Sequence, residues 1–179
     1  MTSEPVNLVL EERIQTAGYE LCEAGHCLGT LTKFKVIGPR VQLDYPAQTP
    51  KMDKDGNEVV RTMCYLEFET DQRDTQGLPK RIRRYMVYSV KDPRHALRNT
   101  IEDWTGKPIE PDADGYLRVD IGALIGKSAL LDIRHSKKLN GEPKHVLHKV
   151  MPTEKTYVAS VAIDTETHDE FKELHELEN

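Results

Sequence analysis

The sequence predicts a mainly β fold, a five-stranded Greek-key barrel with one helix between the third and fourth strands. Three observations carry that expectation. Five segments have strand length and strand-type residues, one segment has helical spacing, and clusters of Gly, Pro, Asp and Asn separate them. A chain of 179 residues suits one domain with extensions. At 37% hydrophobic and 31% charged residues it supports one modest core under a heavily solvated surface.

Residues 26–37 (HCLGTLTKFKVI) read as the first strand. Simple alternation places Thr30, Thr32, Phe34 and Val36 on one face and Lys33 and Lys35 on the other. Gly38-Pro39 ends or bends it. Residues 39–58 hold three prolines and the turn pair Asp55-Gly56, and are expected to form a long loop or an extended hairpin arm. Residues 59–69 (VVRTMCYLEFE) are the second strand. Val60, Thr62, Cys64, Leu66 and Phe68 form its core face; Arg61, Met63, Tyr65 and Glu67 face away. After a polar turn at 71–80, residues 81–90 (RIRRYMVYSV) are the third strand. Here Ile82, Met86, Tyr88 and Val90 point inward and Arg81, Arg83, Tyr85 and Val87 outward, with Arg84 breaking the apolar stripe.

Pro93 is expected to open a helix running through Trp104, because Ala96, Leu97, Thr100, Ile101 and Trp104 recur at helical spacing and Gly106 suits the C-cap. Trp104 reads as core. Residues 107–118 read as a loop, with Asp112 and Asp114 as turn formers, and 119–126 as a short helix ending at Gly126. Residues 128–135 and 144–151 are the last two strands, joined by a turn at 137–141 and closed by Pro152. Beyond it, Phe171, Leu174 and Leu177 hint at a weak helix. Three strands, a helix and two strands is the order expected of an OB-fold, a small Greek-key barrel. Other five-stranded folds share it, since pairing is not visible in a sequence. The expected organisation is an N-terminal extension over 1–22, the barrel over 23–152 and an acidic C-terminal tail over 153–179.

The net charge is −5, but it is unevenly spread. Residues 1–30 hold five acids and one Arg, residues 31–100 hold 14 basic and nine acidic side chains, and residues 163–179 hold seven acids and one Lys. A basic middle between acidic ends is an electrostatic footprint for an anionic partner. The tail, poor in core residues, is expected to be mobile or ordered only against a partner or a second subunit. Three roles are open to it: docking of other proteins, competition for the basic face, or simply a solubilising end.

No apolar run approaches the length of a membrane span, and residues 1–5 lack a signal-peptide pattern. Three cysteines, Cys22, Cys27 and Cys64, cannot all pair with one another, so a reduced, cytoplasmic setting is expected. Cys22, His26 and Cys27 lack the common zinc spacings, and no HExxH, GxSxG or Walker sequence occurs. The expectation is a binding protein, not an enzyme, with no cofactor and no metal.

An OB barrel binds ligands on the face of its second and third strands and on the loops joining strands 1–2 and 4–5. Here that face offers Arg61 and Tyr65 on the second strand and Arg81, Arg83 and Tyr85 on the third, flanked by Lys33 and Lys35. The first loop adds Arg40, with Tyr45, Lys51 and Lys54; the last adds Lys137 and Lys138, with Asn140 and Lys144. Single-stranded nucleic acid needs cations for phosphates and flat rings for bases, the latter worth about 1–3 kcal/mol per base.

With these residues in view, the chain resembles a family of phage-encoded OB-fold proteins that bind single-stranded DNA or act in replication. The resemblance rests on Glu23-Ala24-Gly25 before the first strand, Tyr65-Leu66-Glu67-Phe68-Glu69, and the basic strand ending in Tyr88-Ser89. It continues in Glu102-Asp103-Trp104-Thr105-Gly106-Lys107, residues 120–127 (DIGALIGK), and His135 before an Asn140-Gly141 turn. These features span roughly residues 20–152. The resemblance implies single-stranded DNA as partner, during phage DNA replication or recombination in the host cytoplasm. It also implies replication or recombination proteins as partners of the acidic tail, and leaves a homo-oligomer open. It hands over no contact residues, so the choice of these side chains rests on strand geometry. The competing expectation is a phage accessory protein-interaction module on the same fold.

Overall fold

Seventeen consecutive residues, Gly25–Val41, form β1, the strand around which the molecule is organised. The computed structural model describes residues 20–160 and the backbone of residues 174–177. The N-terminal part of β1 pairs antiparallel with β7 (Ser128–Lys137), and most of its length pairs antiparallel with β4 (Val60–Arg73). Next to β4 lies β5 (Pro79–Val87), and next to β7 lies β8 (Pro143–Met151). The result is one five-stranded antiparallel sheet in the order β5-β4-β1-β7-β8. Among the described residues, β5 and β8 are not hydrogen-bonded to each other, so the sheet has two edges and does not close into a barrel by strand pairing.

The five expected strands are present, four with longer bounds; the third, expected over 81–90, is Pro79–Val87 and ends before Tyr88 and Val90. The 39–58 segment is a hairpin arm carrying β2 (Leu43–Asp44) paired with β3 (Thr49–Pro50). Val60 is 53% exposed and Thr62 is also exposed, because β4 starts out in this arm, beyond the reach of the core. In β1, Leu31 and not Thr32 takes the core position opposite Phe68, and Thr30 lies opposite Glu69 on the other face. A β-bulge between Leu31 and Lys33 absorbs one residue and inverts the alternation that would carry Thr30, Thr32, Phe34 and Val36 on one side. Thr32, inside the bulge, is buried and donates its hydroxyl to Glu67 O at 3.2 Å.

The helix, α1, spans Ala96–Thr105 and not 93–104; Pro93 lies in the turn before it. Gly106 adopts φ 68° and returns its N–H to Glu102 O, as a left-handed C-cap should. Leu97, Ile101 and Trp104 point into the core, where Trp104 lies 5.5 Å from Phe68 and donates Nε1–H to Ser128 O at 3.1 Å. The 107–118 segment is more than a loop: it leads into β6 (Tyr116–Val119). The helix expected over 119–126 shrinks to one 3-10 turn at Gly122–Leu124. β6 pairs antiparallel with β9 (Leu174–Leu177), which replaces the weak helix expected there. An edge strand's unpaired N–H and C=O groups are best satisfied by another strand, and local apolar spacing does not reveal that option. Residues 161–173, including Phe171, lie outside the described residues, as do 1–19, so the expectation of a mobile tail falls largely there.

Three turns share one chemistry. Asp53 Oδ1 accepts the N–H of Asp55 and Asn57, Asp74 Oδ1 that of Gln76 and Leu78, and Asp112 Oδ1 that of Asp114 and Tyr116, all at 2.8–3.0 Å. Each is followed three residues on by a glycine with φ near 80°, a geometry that other residues rarely adopt. At Gly29, where β1 pairs with both β4 and β7, an added Cβ would stand 2.5 Å from Leu131 Cδ1 and 3.2 Å from Glu69 O, so the strands pack closely only because the residue is glycine.

Two non-strand segments complete the body. Residues 20–23 run between the sheet's edges. Lys80 Nζ on β5 donates to Leu21 O at 2.9 Å, the Cys22 N–H donates to His145 Nδ1 on β8 at 2.9 Å, and His135 Nε2 on β7 lies 2.7 Å from Cys22 O. At the other chain end, residues 153–160 form a strap over β1 and β4, tied down through Tyr157 and Ser160. No helix among the described residues is long and apolar enough to cross a membrane.

Candidate nucleic-acid interface

Register fixes what the non-core face of β1, β4 and β5 presents. Directly opposed residues form three rows: Lys35, Tyr65 and Tyr85; Lys33, Glu67 and Arg83; Thr30, Glu69 and Arg81. Directly opposed residues in an antiparallel pair share a face. The fold thus brings together Lys33, Lys35, Tyr65, Arg81, Arg83 and Tyr85. Arg40 and Arg61 oppose each other further along the same β1–β4 pair, at the base of the arm. Lys137 and Lys138 are not with them. They sit where β7 runs past the start of β1 into the β7–β8 turn, at the end of the sheet opposite the arm, and Lys138 pairs with Glu142 at 3.1 Å.

The rows are electrostatically mixed, which the sequence reading missed. Glu67, expected to face solvent, is only 5% exposed, and Glu69 is fully buried. Glu67 receives the Arg83 Nε–H at 2.5 Å and has Arg81 Nη1 at 3.9 Å. Glu69 Oε1 accepts the Tyr157 hydroxyl at 3.0 Å, the Ser160 N–H at 2.7 Å and the Ser160 hydroxyl at 2.9 Å. Buried carboxylates persist only when charge or hydrogen bonds satisfy them. Here a cation satisfies one and the strap satisfies the other. Alternating polar residues in a β-strand look solvent-facing, and the covering residues come from 88 to 91 positions away, so no local signal marks Glu69.

The two rings differ in exposure, and Tyr65, expected to face outward, is buried. Tyr65 is buried under the Arg83 guanidinium, whose Cζ lies 4.7 Å from the ring centroid. Burial raises the Tyr65 phenol above its ordinary value, partly opposed by the Arg83 charge, so it stays neutral. Tyr85 is 56% exposed, 5.4 Å from Tyr65 centroid to centroid, and its hydroxyl accepts from Arg83 Nη1 at 3.4 Å. Tyr85 therefore presents an open ring face, backed by Tyr65 and held by Arg83. Lys35 is exposed in the same row and, among the described residues, has no carboxylate within ion-pair distance. The loop residue Tyr45 is also exposed, at the tip of the arm.

Three cysteines lie buried in the core. Burial pushes the Cys22 thiol up to about 11 and those of Cys27 and Cys64 up to about 12, so all three stay protonated and unreactive near neutral pH. No group of three or more His, Cys, Asp or Glu residues suited to a metal ion occurs among the described residues. No family model matches the sequence, and no curated protein matches it.

Proposed function

We propose that the protein binds single-stranded DNA without sequence preference on the β1–β4–β5 face, acting in phage DNA replication or recombination in the host cytoplasm. The observation that carries this reading is the exposed Tyr85 ring, backed by Tyr65 and Arg83, with Lys35 in the same row. Stacking on such a ring is indifferent to base identity, and the lysine neutralises phosphate. The strand order supports the OB reading. The order β5-β4-β1-β7-β8 is that of an OB barrel cut between its third and fifth principal strands, with residues 20–23 bridging the cut. The reading needs no catalytic group and no cofactor.

A second reading, a phage accessory protein-interaction module, is favoured by one feature: Leu43, Tyr45 and Met52 are exposed together on the arm. Fluorescence anisotropy with a labelled oligonucleotide separates the two. Single-strand binding requires log Kobs to fall linearly with log salt, by about 0.7 for each phosphate neutralised. Tyr85→Ala should weaken binding by about 1–3 kcal/mol, the cost of one lost stacking ring. Affinity that ignores salt, or that survives Tyr85→Ala unchanged in a folded protein, overturns the proposal.

A further inference from the structure

We propose that the cleft at the arm end of this face takes a terminal phosphate monoester of the bound strand. The inference rests on the single-strand reading, because Arg61 belongs both to the face and to the cleft. The cleft opens where β4 begins, β5 ends and the chain turns into α1. It has a volume of about 620 Å³, and Arg61, Tyr88, Ser89, Lys91, Asp92 and His95 contribute to its lining. That is within the range of small-ligand sites, roughly 300–1,000 Å³.

Its charge arrangement asks for an anion. Arg61 and Lys91 are exposed and, among the described residues, neither has a carboxylate within ion-pair distance. Arg40 stands directly opposite Arg61 across the β1–β4 pair, and it too has no such partner among the described residues. Like charges directly opposed on a sheet repel, and a bound anion would relieve that repulsion. The one acid in the lining, Asp92, is already engaged: Arg94 donates to it from Nε at 3.0 Å, from Nη2 at 2.6 Å and from its backbone N–H at 2.8 Å. His95 Nδ1 is buried and has no hydrogen-bond partner. A buried polar atom left unpaired is rare and calls for a ligand or water.

The ligand that fits is an anion with several acceptor oxygens. An internal phosphodiester carries one negative charge, whereas a terminal monoester carries about −1.5 to −2 at neutral pH and has three strong acceptor oxygens. Arg61 and Lys91 bring two cations to the lining and His95 a ring able to donate an N–H, a set that suits the more highly charged monoester better. A neutral ligand would leave the two cations uncompensated.

Three labelled oligothymidylates test this with the full chain at one fixed salt concentration: one with a 5′-phosphate, one with a 3′-phosphate, and one with hydroxyls at both ends. One phosphorylated end should bind about tenfold tighter than the hydroxyl-ended strand, the effect of one charge-assisted hydrogen bond. Lys91→Ala, an exposed position that should fold normally, should abolish that ratio. Tyr85→Ala should weaken all three strands and leave the ratio intact. Equal wild-type affinity for the three strands overturns the proposal, and so does a ratio that survives Lys91→Ala. Should no strand bind, the single-strand reading fails separately. NMR titration of the His95 ring with thymidine 5′-monophosphate and with thymidine then decides on the cleft alone. A shift with the nucleotide and none with the nucleoside supports it; no shift with either overturns it.

Discussion

Arg83 shows how one side chain ties a buried acid to an exposed ring. It neutralises buried Glu67, covers Tyr65 and donates to Tyr85, so it fixes the ring offered to solvent. Read from sequence, Arg81, Arg83 and Tyr85 are simply outward cations and a ring on a basic strand. The buried acid beneath them changes the expected effect of mutation. Arg83→Ala leaves a carboxylate buried without its main partner, and breaking such pairs costs about 3–5 kcal/mol when both groups are deeply buried. Arg83 keeps 30% of its side-chain surface exposed, so water compensates in part and about 2 kcal/mol is expected. Combining it with Glu67→Gln should restore most of that loss, because no charge is then stranded. Urea denaturation of the four proteins in this double-mutant cycle measures the coupling. Strictly additive losses would mean that the pair contributes no more than its separate contacts.

At the scale of elements, the edge-bridging segment depends on two histidines that face each other across β7 and β8. His135 and His145 are opposed in register, one against Cys22 O and the other accepting the Cys22 N–H. An acceptor nitrogen must be unprotonated. Burial, then the neighbouring His135 and Lys80, hold His145 below the ordinary histidine value. The sign follows from linkage. The unfolded chain takes up the proton more readily than the folded one, so the histidine's contribution is complete above about pH 6.5 and is lost as pH falls through the lowered folded value. The melting temperature should fall between pH 7.5 and 5 by more in the wild type than in His145→Asn. Asparagine keeps an acceptor for the Cys22 N–H and does not titrate. Identical pH profiles would show that the pair does not couple to folding. Other elements were legible in the residues to different degrees. Ile82, Met86, Leu66 and Phe68 alternate cleanly, and their burial follows. The β1 phase was not legible, since a bulge at Thr32 inverts a pattern that threonines and lysines satisfy equally well in either phase. The helix start at Ala96 was not legible either, because Pro93 suits a preceding turn as well as a first helical position.

At the scale of the molecule, both ends of the described body are bonded to the sheet. Residues 20–23 join its edges, and the 153–160 strap covers Glu69. The strap depends on Tyr157, whose backbone N–H meets Ser128 Oγ at 2.9 Å and whose hydroxyl meets Glu69 and, at 3.2 Å, Arg73. Tyr157→Phe removes one hydrogen bond to a buried carboxylate that keeps two from Ser160, so a loss of about 1 kcal/mol is expected in urea denaturation. No measurable change would mean that Glu69 is satisfied without the Tyr157 hydroxyl. Neither segment announces itself in the sequence, since both are short, polar and lack any period. Their partners are remote: Cys22 and His145 are 123 positions apart. That separation has a kinetic consequence. During synthesis, the segment that joins the two sheet edges is made first, yet it cannot dock until β8, nearly the last of the described chain, has emerged. The β1–β4–β5 meander can form early from near neighbours, whereas docking of residues 20–23 must wait and pay a long loop closure. Until then the outer edge of β5 stays uncovered, so the nascent chain is most open to unwanted strand pairing in the interval between completing β5 and completing β8.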